Sequence, residues 1–195
     1  MLLQTMNTAI TTALMGFFLL SGASQTGTFG QSIQTALAAS VPQEHIVMIT
    51  GYNAVPEQTD GNPHMTASGA YANPDIVAAR SVDLADELPF GTVIKIEQSA
   101  TTSTRACGFS AAEPFIGYRV IADSMHPRKR DQIDILFDSD VSKRVGGRII
   151  NPAAVLGVCK DITIRVVGYV DIRTMPRSQT ELVARVGMAT LALKK

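Results

Sequence analysis

Between Ile121 and Phe137 the chain places two short apolar runs, each carrying one aspartate, around a compact basic connection. Val120, Ile121 and Ala122 make up the first run; Ile133, Ile135, Leu136 and Phe137 make up the second. β-Branched and aromatic residues in runs this short favour strands over helices. Pro127 and the charged residues from Arg128 to Asp131 mark the loop between them. Asp123 is therefore expected at the exit of one strand, and Asp134 inside the next. A carboxylate within a strand is costly to bury unless it is paired or used, so this pair is the first candidate for chemistry.

The rest of the chain supplies compatible elements. His45 to Thr50 reads as an opening strand, Val93 to Ile96 alternates as another, and Ile162 to Val170 reads as the closing strand. Residues 53–76 carry Pro56, Gly61, Pro63, Gly69 and Pro74, which predicts a long loop. Thr101 to Gly117 reads as an insertion in a hairpin, and Val141 to Val145 as a short helix capped by Asp140. Apolar residues at Leu182, Val183 and Val186 predict a C-terminal helix, with Ser178 and Glu181 spaced as a capping box. Many short strands with Gly- and Pro-bearing turns indicate an all-β barrel or sandwich with short helices and that terminal helix.

Charge and targeting signals narrow the partners. The formal net charge is zero, so no general attraction to nucleic acid follows. The first Lys or Arg is Arg80, and Arg128, Lys129 and Arg130 cluster in the loop between the aspartates. They either face an anionic polymer or form an ordinary solvated loop. Ala13 to Leu20 is an apolar core of signal-peptide length, too short for a stable membrane span, and is followed by small residues at Ser21 and Ala23. No basic residue precedes it, which leaves a buried N-terminal helix as the alternative. The expected organisation is a signal peptide over 1–23, a linker over 24–43, one domain over 44–170 and a helical tail over 171–195. The expected location is outside the cytoplasm. Cys107 and Cys159, the only cysteines, then either form one disulfide around both aspartates or stay as two buried thiols. No metal signature or cofactor motif is present, and a monomer is expected.

Asp123 and Asp134, flanked as Ala-Asp and Ile-Asp-Ile, resemble two signature positions of the 3D domain family. That family is named for three aspartates and includes membrane-bound lytic transglycosylase A and small cell-wall proteins. Thr50-Gly51-Tyr52 resembles the family's opening strand, and Thr66 to Gly69 its following turn. Leu88-Pro89-Phe90-Gly91-Thr92 resembles its Pro-x-Gly-Thr turn, and Gly147-Arg148 its Gly-Arg pair. The resemblance spans roughly residues 46–170. The family's first aspartate is missing from its usual context: Val77-Ala78-Ala79 is followed by Arg80, and Asp83 or Asp86, outside that context, are the alternatives for its role. That stretch also resembles the rare lipoprotein A branch of double-psi barrels.

The resemblance implies a six-stranded double-psi β-barrel acting on peptidoglycan glycan strands. It implies Asp134 as the catalytic acid, with Asp123 orienting substrate or stabilising the developing cation. Thr50, Tyr52, Thr66 and Arg80 are the residues expected to bind substrate. An ordinary glycosidase needs a second carboxylate as base or nucleophile; in the resembled transglycosylases the sugar's own 6-hydroxyl attacks, so one acid suffices. To donate at neutral pH, that acid needs a raised pKa, from burial between Ile133 and Ile135 or from a neighbouring carboxylate. The structural alternatives are Asp123 as a loop cap and Asp134 paired with Arg119 or Arg148. A non-catalytic wall-binding barrel is the alternative function.

Overall fold

Alternating apolar residues dictate a sheet with two covered faces, and the sheet closes on itself. The structure, a computed structural model, describes residues 43–59, 62–98 and 107–192. The expected signal peptide and nearly all of the expected linker lie outside the described residues, as do residues 101–106 of the predicted insertion. Six strands form a closed barrel: β1 (Glu44–Asn53), β2 (Val77–Arg80), β3 (Thr92–Gln98), β4 (Tyr118–Ser124), β5 (Gln132–Phe137) and β8 (Cys159–Tyr169). Their order around the barrel is β1-β5-β2-β4-β3-β8. The pairs β1/β5 and β2/β4 are parallel, and the other four are antiparallel. Closure removes the free edges that invite pairing between molecules.

Period-two alternation sorts the side chains into two clusters. Ile49, Ile94, Ile121, Ile133, Ile135 and Ile164 share one buried cluster, which fills the barrel. Val77, Val120, Ala122 and Leu136 point the other way and pack with Leu182 of the C-terminal helix α3 (Gln179–Ala192). Gln179 fixes that helix to the barrel: its Nε2 donates to the Tyr118 and Asp75 carbonyls, and its Oε1 accepts from Tyr118 N–H. Ser178 caps it by accepting from Glu181 N–H at 3.3 Å. Glu181 completes only half of the expected box, accepting from Arg177 N–H rather than from Ser178 N–H.

Arg119 is the largest fully buried side chain. Its guanidinium donates to the carbonyls of Phe115, Ile116, Pro74 and Leu136, at 2.5–3.0 Å. The charge is thus dispersed over backbone dipoles, and Arg119 clamps β4 to β5 and to the segment preceding β2. It is not the partner of Asp134 that the sequence offered.

Two further elements depart from expectation. Lys143–Val145 is not a helix but strand β6, paired antiparallel with β7 (Arg148–Ile150). Gly146 and Gly147 have φ of 55° and 81°, the left-handed pair that a tight hairpin turn requires. This turn overrides the helix signal from Asp140. Asn151 caps an unanticipated helix α2 (Pro152–Leu156), accepting from Ala153 N–H at 2.9 Å with Pro152 at the first helical position.

Cys107 and Cys159 form the disulfide, with Cα atoms 5.2 Å apart. It ties the segment entering α1 (Phe109–Ala112) to the start of β8, and the 52-residue span it closes contains both aspartates. Among the described residues, no helix is long and apolar enough to cross a membrane.

Candidate active site

The aspartates are brought together by strand register. Thr50 of β1 pairs with Asp134 of β5, Asp134 pairs with Ala79 of β2, and Ala79 pairs with Asp123 of β4. Thr50, Asp134, Ala79 and Asp123 thus occupy one rung across four consecutive strands. With neighbouring strands about 4.8 Å apart, the aspartates stand two strand spacings from each other, with Ala79 on the strand between them.

Asp123 reaches this rung through an irregularity. Val77 and Ala78 pair with Val120 and Ile121, but Ala79 pairs with Asp123, so Ala122 is an extra residue in β4. Unbroken alternation would send Asp123 into the barrel after Ile121. The bulge at Ala122 turns it outward beside Ala79, a recurrent way of aiming a side chain next to a functional site.

Both carboxylates line a groove of about 530 Å³, within the roughly 300–1,000 Å³ typical of ligand sites. Tyr52 and Ala79 form its floor with them; Glu57, Met65 and Ala67 come from the long β1–β2 connection. His126 and Lys129 come from the β4–β5 connection. Of the predicted basic loop, Lys129 therefore faces the groove, while Arg128 and Arg130 do not line it.

Asp123 is held by three donors. Tyr52 O–H donates to Oδ2 at 3.0 Å, and the N–H groups of Ala67 and Ser124 donate to Oδ1 at 2.9 Å each. It caps the loop, as the structural alternative foresaw, and faces the groove as well. Burial, then the Asp123 charge and hydrogen bond, raise the Tyr52 pKa far above the phenol range. Tyr52 therefore stays a donor throughout the working pH range.

Asp134 is held differently. Thr50 O–H donates to its Oδ1 at 2.8 Å, and the other oxygen has no hydrogen-bond donor among the described residues. Burial pushes its pKa up to about 6. The Thr50 hydrogen bond and the Lys129 charge oppose the rise, and the Asp123 charge adds to it. The expected cause is corrected in one respect: Ile133 and Ile135 face the barrel interior, so the burial comes from the groove side. A carboxyl poised near neutrality can both give and take a proton. A second carboxylate two strands away can stabilise positive charge.

The other expected binding residues take different places. Thr50 stands behind Asp134 rather than on the groove wall. Thr66 is buried and donates to Ala70 O at 3.1 Å, bracing the turn that presents Ala67 N–H to Asp123. Arg80 does not line the groove. Alternation turns it away from Ala79, so its Nε donates to Leu88 O at 2.8 Å and its guanidinium lies 4.9 Å from the Phe90 ring centroid. It anchors the Leu88–Thr92 turn.

Sequence reasoning missed Ala79 and Gln132. Gln132 lies two residues before Asp134, hence on the same face, and that spacing was the available signal. Among the described residues, no three His, Cys, Asp or Glu side chains are grouped to hold a metal ion. The chain matches no protein-family model and no curated protein.

Proposed function

We propose that this chain is a peptidoglycan-cleaving enzyme of the lytic transglycosylase type, built on a double-psi barrel and working outside the cytoplasm. The observation that carries the reading is Asp134: a half-buried carboxyl with its pKa pushed up to about 6, one oxygen tied back to Thr50, on a groove shared with Asp123. In the proposed reaction Asp134 protonates the glycosidic oxygen as its bond to C1 breaks. The Asp123 carboxylate offsets the positive charge that develops over C1 and the ring oxygen. Asp134, now ionised, takes the proton of the C6 hydroxyl as that oxygen closes on C1. The product is a 1,6-anhydro sugar end, and Asp134 regains its proton for the next cycle. The disulfide supports an oxidising location. Incubating purified sacculi with the protein and identifying the released sugar ends by mass spectrometry tests this reading; 1,6-anhydro ends are the expected product.

One observation favours a second reading, a non-catalytic wall-binding barrel. At the position where the resembled family carries its first aspartate, Arg80 is buried and hydrogen-bonded to backbone. Sacculi that retain the protein on sedimentation but release no muropeptides would select it.

A further inference from the structure

Beyond the two aspartates, a buried polar relay stands behind Asp134. Gln132 is buried, and its Nε2 donates to Thr50 Oγ1 at 2.8 Å. Thr50 in turn donates to Asp134 Oδ1 at 2.8 Å. Each link has one direction. The amide NH₂ is a donor only, so it occupies a lone pair of the hydroxyl and leaves the hydroxyl proton for the carboxylate. Gln132 is held independently of its side chain, because its N–H donates to Ser81 Oγ at 3.1 Å and its C=O accepts from Ser81 N–H at 2.9 Å.

We propose that Gln132 is a positioning residue that, by fixing the Thr50 hydroxyl, ties Asp134 Oδ1 back to the barrel and leaves its other oxygen to carry the transferable proton. This inference rests on the reading of Asp134 as an acid, but its geometry stands without it. A carboxyl free to turn would present either oxygen, and the proton would be delivered from two positions. With Oδ1 engaged by a fixed donor, the proton is favoured on the other oxygen. The relay also sets the acidity: a hydrogen bond to the ionised form favours that form, so Gln132 acts, through Thr50, to moderate the rise caused by burial. The other titratable groups at the groove are Tyr52 from β1, Asp123 from β4, Glu57 from the β1–β2 connection, and His126 and Lys129 from the β4–β5 connection. All of them stay in place when Gln132 is changed.

The test is a carboxyl-carbon NMR titration of Asp134 in the full chain, which needs no enzymatic activity. Gln132→Met keeps the shape and removes the donor; Thr50→Val removes the second link. Each is expected to raise the Asp134 pKa by about 0.5–1 unit, the weight of one hydrogen bond. In the double variant the pKa is expected to match Thr50→Val alone, because Gln132 acts only through Thr50. Thr50→Ser, which preserves the hydroxyl, is expected to titrate near wild type. An unchanged pKa in Gln132→Met would overturn the proposal, as would additive shifts in the double variant. A protein that releases nothing from sacculi but shows the non-additive titration would sink the enzyme reading and leave the relay standing.

Discussion

Asp123 and Asp134 pair with the same residue, Ala79, from its two sides: Asp123 across a parallel ladder and Asp134 across an antiparallel one. Ala79 stands between them in the ladder, and Tyr52 lines the same groove with its hydroxyl on Asp123. Ala79 lines the groove but is itself buried, so Ala79→Leu is expected to crowd the groove and block substrate entry at an overpacking cost of about 1–3 kcal/mol. Loss of sacculus cleavage by a protein that still unfolds cooperatively, at a modestly lower melting temperature, is the expected outcome. Undiminished cleavage would show that substrate does not pass between the carboxylates.

Asp134 also makes stability depend on pH. Its folded pKa of about 6 lies above its ordinary 3.8, so between these values the folded chain holds a proton that the unfolded chain has released. The contribution is fully present below the lower value and is lost as pH rises through the upper one. Asp134→Asn keeps an acceptor for Thr50 and removes the charge. It is expected to be more stable than wild type at pH 7.5 by ~1–3 kcal/mol and nearly equal at pH 3.5. Urea unfolding at the two pH values measures the difference.

The Cys107–Cys159 bridge closes a 52-residue span. The Cys107→Ala, Cys159→Ala double variant is expected to lose about 2–4 kcal/mol, read as a lower urea midpoint. A reducing agent should lower the wild-type midpoint by a similar amount and leave the double variant unmoved.

Arg119 should be the least replaceable buried residue. Arg119→Met fills most of its volume but strands four carbonyl acceptors. A loss of at least about 3 kcal/mol is expected, because buried acceptors left without donors each cost roughly 1–3 kcal/mol. A loss under about 1 kcal/mol would show that the carbonyls find other donors.

Five of the six barrel strands and the aspartate pair are legible in the sequence because their signals are local, whereas β2 (Val77–Arg80), short and alanine-rich, carries no such signal. The disulfide was legible as one of two open alternatives for a lone pair of cysteines. What was hidden depends on register. Nothing local marks Ala122 as a bulge, yet the bulge is what aims Asp123 at the groove. Ala79 looks like filler until two strands pair on it. Arg80, read as a groove residue, turns inward because it follows Ala79 on an alternating strand. The helix-cap signal at Asp140 precedes the β6–β7 hairpin, and the Gly146-Gly147 turn overrides it.

The most direct test of Asp134 as the acid is digestion of purified sacculi by wild type and Asp134→Asn, with mass-spectrometric quantification of 1,6-anhydro muropeptides. Wild type is expected to release them and Asp134→Asn to release about 10²–10⁴-fold fewer, the usual weight of a positioned general acid. Release by Asp134→Asn at the wild-type rate would contradict the assignment and place the acid elsewhere.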